Sequence, residues 1–176
     1  MKNTTWKLDP AHSEITFKVK HLMISNVKGE FKTVDAAIDG PDFKTATFTA
    51  TIAANSIYTN NDDRDAHLKS ADFFEAENYP EITFTGTSLK RKDDDEYELT
   101  GNLTIKGTTR ELTLDLEFGG YMKDPYGNEK AGFSVEGKLN RKDFGLNWNA
   151  ALEAGGVMVG NEVKLNAELQ FVKQEA

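Results

Sequence analysis

Apolar and polar residues alternate with a period of two along most of this chain, the signature of strands that bury only one face. The segment ITFKVKH shows it most cleanly, with Ile15, Phe17, Val19 and His21 on one side and Thr16, Lys18 and Lys20 on the other. The alternation returns at Val27, Gly29 and Phe31, at Phe48, Ala50 and Ile52, and at Ile82, Phe84 and Gly86. It is longest in four later runs: Tyr97 to Ile105, Leu112 to Phe118, Phe133 to Leu139, and Val163 to Phe171. Turn-forming clusters separate the runs: DGPD at 39–42, KDDDE at 92–96, KGTTR at 106–110, DPYGNE at 124–129, and EAGG with VGNE across 153–162. Connections this short join antiparallel neighbours.

About eight or nine strands, each apolar on one face, must hide that face. Closing the sheet on itself hides it and removes the vulnerable edges, so the pattern predicts an all-β, antiparallel up-and-down barrel. Gly29, Gly86, Gly101 and Gly137 fall on the apolar faces, where a missing side chain permits a tight bend or leaves room inside. With 176 residues and no linker or repeat, the expectation is one domain over 1–176.

One segment breaks the rhythm. From Asn60 the chain reads NNDDRDAHLKSADFFEAENYP, with Asn and Asp as N-cap candidates and Pro80 as a stop. The spacing predicts a helical segment near residues 61–78, with Arg64, His67, Leu68 and Ala71 on one face and Phe73 and Phe74 adding apolar bulk. Such a segment can cover one end of a barrel.

Composition narrows the functions. Acidic residues outnumber Lys plus Arg 29 to 21, a net charge of -8, so the overall field repels phosphate backbones and anionic lipid surfaces and opposes nucleic acid as a partner. The absence of cysteine removes disulfides, thiolate catalysis and Cys-based metal sites. No run approaches the roughly 20 apolar residues of a spanning helix, and the amino-terminal residues carry no apolar signal-peptide core. A cytoplasmic protein without integral membrane insertion is the expectation. A membrane barrel also alternates, but aromatic girdles at both strand ends are missing here.

Declared chemistry is sparse. The three histidines, His12, His21 and His67, lack the spacing that puts two ring nitrogens on one metal. No G-x-S-x-G occurs, and GGVMVG at 155–160 imitates a phosphate loop but is followed by Asn161 and Glu162 instead of Lys and Ser or Thr. The DDDE run at 93–96 lacks the spacing of a calcium loop and reads as a solvated turn. No catalytic residue, metal or cofactor is expected.

Four blocks, in order, resemble the YceI-like family, a group of lipocalin-like proteins that bind polyisoprenoid lipids and related long-chain amphiphiles. They are WKLDPAHSEITFKVKHLMISNVKGEF (Trp6 to Phe31), DDRDAHLKSADFFEAENYPEITF (Asp62 to Phe84), LTGNLTIKGTTRELTL (Leu99 to Leu114) and NRKDFGLNW (Asn140 to Trp148). The resemblance implies an eight-stranded lipocalin-like barrel with an elongated apolar interior that takes an alkyl or prenyl chain. Eight strands is the size at which a barrel either fills itself or holds one small ligand.

On this reading the lining is Phe17, Val19, Phe31, Phe48, Ile52, Phe84, Leu99, Leu103, Phe133, Val135 and Trp148. His21, Arg64 and His67 are the candidates to meet a polar head group, the alternative for each histidine being a hydrogen bond to a buried carbonyl or carboxylate. His12 and Ser13 match the family's HS pair, and Asp65 its helical signature. Asp143 or Glu14 is available as a partner for Arg64. Trp6 reads as a core or end plug, and Arg141, Phe144 and Gly145 as residues of the fold. The expected partner is a hydrophobic small-molecule lipid, with homodimer formation as a further expectation. The competing function is an enzyme acting on the head group of a bound lipid, through His21, His67 and Asp65.

Overall fold

The computed structural model describes residues 4–150, 152 and 158–174. The EAGG turn and the first part of the GGVMVG run lie outside the described residues. The described residues form eleven strand segments: β1 (Thr5–Leu8), β2 (Glu14–His21), β3 (Ser25–Phe31), β4 (Val34–Asp39), β5 (Thr47–Ala53), β6 (Ile57–Tyr58), β7 (Glu81–Arg91), β8 (Glu96–Ile105), β9 (Thr108–Lys123), β10 (Glu129–Asn140) and β11 (Val159–Gln174). One α-helix, α1 (Asp62–Lys69), lies between β6 and β7.

Register shows that these segments are eight staves. β1 and β2 both run antiparallel along β11, Leu8 opposite Phe171 and Glu14 opposite Glu168, with a 3-10 turn at Pro10–His12 between them. β3 and β4 continue one another in the same way against β2 and β1, and β5 and β6 against β4 and β3. Every stave pairs with its sequence neighbours, and β1 pairs with both β4 and β11, which closes an eight-stranded antiparallel barrel. The Ser13 hydroxyl pins the interruption between β1 and β2, accepting from the Gln170 N–H at 3.0 Å, so the HS pair serves the strand junction.

Two apolar clusters fill the ends. At one end Phe43, carried by the loop between β4 and β5, packs against Tyr97, Phe118 and Phe133 with ring centroids 5.4, 4.5 and 5.3 Å away. Trp6 stacks on Tyr121 at the same end, completing an aromatic plug. At the other end Ile82, Leu103, Ile105, Phe144 and Leu146 pack beneath Phe74 and Ala76.

The helix is shorter than the sequence predicts. It ends at Lys69, where the Ser70 N–H and hydroxyl both donate to the His67 carbonyl, at 3.1 and 2.5 Å, and the chain continues to Tyr79 as turns. Ala71 therefore leaves the helical face, and its carbonyl accepts from Lys106 Nζ at 2.9 Å. At the helix start Asn61 caps through its side chain, accepting from the Arg64 N–H at 3.0 Å, with Asp62, Asp63 and Asp65 in the positive first turn.

Candidate functional site

Between the two end clusters the barrel is hollow, with a cavity of about 630 Å³. The inward alternation of each strand builds its wall: Ile15, Phe17 and Val19 from β2, Ile82 and Phe84 from β7, Leu99 and Leu103 from β8, Leu165, Ala167 and Leu169 from β11. Phe31, Phe48, Ile52, Val135 and Trp148 also face this space. Phe133 does not. It is phased inward as expected, but it sits at the level of the plug, between Phe43, Phe118 and Phe171.

The bore stays open because two of its large rings lie flat against the wall. Phe17 stands opposite Gly29 in register, and its ring covers the place where a Cβ of Gly29 would be. The Phe84 ring covers Gly101 on the neighbouring strand in the same manner. A side chain at either glycine would push the ring toward the axis, so these two inward glycines act as recesses for their aromatic neighbours.

The charged groups of the wall gather at the helix end. Lys20, His21, Asp63, Arg64, His67 and Arg141 all border the cavity. Arg64 and Asp65 point apart on α1 yet meet at one residue. Thr59 donates its N–H (2.9 Å) and hydroxyl (2.5 Å) to Asp65 Oδ1, while Arg64 Nε donates to the Thr59 hydroxyl oxygen (2.8 Å) and Nη2 to its carbonyl (2.5 Å). Asp65 is only 7% exposed, so this network locks the helix to the end of β6. Neither Asp143 nor Glu14 partners Arg64; the Asp143 carbonyl accepts from Arg110 Nε instead.

His67 hydrogen-bonds through Nε2 with Asp72 Oδ2 at 2.8 Å, and its ring packs edge-on to Trp148 and Phe73, with centroids 4.7 and 5.1 Å apart. His21 borders the cavity opposite Val159 without a side-chain hydrogen bond among the described residues. His12 is far from this region in role, an exposed ring paired with Asp9 Oδ2 at 2.8 Å. There it holds the Asp9 carboxyl below its ordinary range, helped by Lys130.

Arg141, read from sequence as a residue of the fold, also belongs to the cavity wall. It is 3% exposed and donates to four carbonyls: Nε to Gly160 (2.8 Å), Nη1 to Leu146 (2.7 Å) and Trp148 (2.8 Å), and Nη2 to Val159 (3.3 Å). It thereby ties the segment that carries Trp148 to the start of β11. Burial pushes its pKa down, but a guanidinium stays protonated. Ile57, Leu146 and Met158 line the cavity as well and carry no periodic signal, because they lie at strand ends or in connections.

Among the described residues no group of three or more His, Asp or Glu could hold a metal ion, and no helix is long and apolar enough to cross a membrane.

A closed eight-stranded antiparallel barrel, plugged at one end by aromatics and hollow beneath a helix at the other, defines a lipocalin-like cavity protein. The chain belongs to the YceI-like family: the YceI-like domain matches residues 6–171. A UPF0312 protein of Staphylococcus aureus is 47% identical over 171 residues, covering 96% of this chain and 97% of that one. The YCEI protein of Campylobacter jejuni is 38% identical, with a TM-score of 0.74 over 89% of this chain and 90% of that one. A polyisoprenoid binding domain from Saccharophagus degradans shares the fold with a TM-score of 0.73 at 16% identity, over 96% of this chain and 98% of that one.

Proposed function

We propose that this protein is a non-enzymatic carrier or store for a long-chain isoprenoid or related amphiphile, its tail held in the lumen and its head at the helix end. The observation that carries the reading is the apolar cavity of about 630 Å³ inside the barrel, closed by the aromatic plug at one end and bordered by the helix at the other. At roughly 30 Å³ per small group, that space holds on the order of fifteen to twenty carbons once imperfect filling is allowed. Each buried methylene contributes about 0.8 kcal/mol, so ten to fifteen carbons supply roughly 8 to 12 kcal/mol before ordering costs of several kcal/mol. Micromolar or tighter affinity survives, set by tail length more than by head group. The Saccharophagus degradans domain, described as polyisoprenoid binding, supports the same ligand class through the shared fold.

In this proposal Phe17, Val19, Phe31, Phe48, Ile52, Phe84, Leu99, Leu103, Val135 and Trp148 contact the tail, and His21, Arg64 and His67 stand nearest the head. The proposal includes residence in the cytoplasm, which cell fractionation tests. A series of prenyl alcohols of increasing length, followed by thermal shift, tests the affinity: melting temperature should climb with length and then level off when the lumen is full. A flat series would refute it.

The second reading, catalysis on a bound head group, has one geometric feature in its favour, the His67–Asp72 pair, whose histidine borders the cavity. It requires His67→Ala to abolish turnover of a bound amphiphile while uptake persists; uptake and stability falling together identify His67 as packing for Trp148.

A further inference from the structure

The outer face of the barrel carries an arrangement that folding does not explain. In register across four adjacent strands, Lys28 of β3 stands opposite Lys18 of β2, Lys18 opposite Lys164 of β11, and Lys164 opposite Lys138 of β10. Like charges directly opposite each other in a sheet repel. The nearest outward carboxylates along these strands, Glu30, Glu136 and Glu162, are two residues from a lysine of the row, and among the described residues none forms an ion pair with it. In a chain of net charge -8, this is a concentrated basic stripe.

The β2–β3 hairpin that bears two of these lysines ends in an apolar tip. Leu22, Met23 and Ile24 are 38%, 53% and 84% exposed. The turn is closed by the Ile24 N–H donating to the His21 carbonyl at 3.3 Å, with φ of +54° at Leu22 and +66° at Met23. Two consecutive left-handed residues are the geometry for which Asn-Gly is preferred, and Leu-Met is strained there. The sequence accepts that strain to place bulky apolar side chains in water. The tip also adjoins the cavity: the Leu22 N–H donates to the Met158 carbonyl at 2.8 Å, and His21, Met158 and Val159 line the lumen.

An apolar tip with a collar of lysines behind it matches the two halves of an anionic bilayer surface, acyl boundary and head groups. We infer that the protein docks on anionic membranes through Leu22–Ile24 and the Lys18, Lys28, Lys138, Lys164 row, which brings the helix-end opening of the lumen to the lipid. Local charge decides this contact: four lysines stand directly opposite one another, and charges more than a Debye length of roughly 8 to 10 Å away are largely screened. The inference extends the carrier reading but rests on different residues.

Co-sedimentation of the full chain with vesicles of phosphatidylcholine alone, or with about one-third phosphatidylglycerol, tests it. Retention is expected on the anionic vesicles, weak on the neutral ones, and reversed by salt of about 0.5 M. Each Lys→Gln change in the row should lower partitioning about fivefold. The triple change Leu22→Asn, Met23→Gly, Ile24→Ser should abolish it without lowering the melting temperature, because it installs the residues the turn prefers. No retention at about millimolar lipid, or retention indifferent to both sets of changes, overturns the inference. So does tip-independent binding to duplex DNA that exceeds binding to vesicles, or a dimer in solution that the triple change dissolves. The assay needs no ligand in the lumen, so its failure leaves the carrier reading standing, and an empty lumen leaves membrane docking standing.

Discussion

Gly29→Ala is the smallest change that tests how the lumen is kept open. A Cβ at Gly29 would lie within 3.0 Å of three carbons of the Phe17 ring, closer than any real contact. The ring must tilt toward the axis, an overpacking that costs about 1 to 3 kcal/mol. Against this, alanine reduces the freedom of the unfolded chain, which returns about 0.4 to 1 kcal/mol. The net loss is then about 0 to 2.6 kcal/mol, or a fall of up to roughly 10 °C in melting temperature for a domain of this size. Phe17→Leu alone should also destabilise, by removing a buried ring. In the double variant the leucine makes room for the new methyl, so the combined loss should fall short of the sum by about 1 kcal/mol. Scanning calorimetry of the four proteins of this cycle measures the coupling. Strict additivity of the two changes would refute the claim that Phe17 is laid flat on a glycine recess.

Other consequences follow from named contacts. Asp65→Ala leaves the buried Thr59 N–H and hydroxyl without an acceptor, and should cost about 1 to 3 kcal/mol by denaturant titration; Asp65→Asn should recover part of it. Arg141→Met deprives four carbonyls of their donor, and should lower stability by about 3 kcal/mol or more, with Arg141→Lys recovering less than half because an ammonium cannot span the fork. Asp9 is held below its ordinary pKa by His12 and Lys130, so its folded form binds the proton less readily than its unfolded form. Its contribution is present above the unfolded value near pH 4 and fades as pH falls through the lower folded value. Acid melts of wild type and Asp9→Asn should therefore differ at neutral pH and converge once pH has fallen below the lowered folded value.

Much of the barrel is legible because alternation reports which face of a strand is buried. The closed antiparallel barrel of about eight or nine strands and its inward faces from Phe17 to Leu103 follow from that rule, while the count of eight comes from the family resemblance. Alternation does not report depth along the axis, which is why Phe133 has the right face and the wrong level. Its level is set by Phe43, a residue from a loop with no periodicity that folds into the barrel end. β1 and β4 are absent from the pattern for a related reason. TWKL is too short to show a period, and VDAAID presents Ala36 and Ile38 inward, with little contrast to Ala37.

The helical insert was legible as a helix but not in length. Its charged start and N-cap are local signals, whereas its stop depends on Ser70 turning back onto His67. The partners of Arg64 and Arg141 were illegible in sequence because both bond to backbone, whose carbonyls every residue possesses. Arg141 in particular gains its place in the cavity wall from the loop it binds, and a carbonyl partner leaves no mark in residue type. The apolar hairpin tip, by contrast, interrupts the alternation visibly, in HLMIS, though only its exposure distinguishes it from core.

The central claim is that the lumen houses an amphiphile. Organic extraction of protein purified without detergent, followed by mass spectrometry, measures this directly. The account predicts a long-chain hydrophobic compound released in near-stoichiometric amount, and its loss from a variant whose bore is filled by Ala50→Phe. Protein that yields no such compound, and whose melting temperature is unmoved by prenyl lipids, would contradict it.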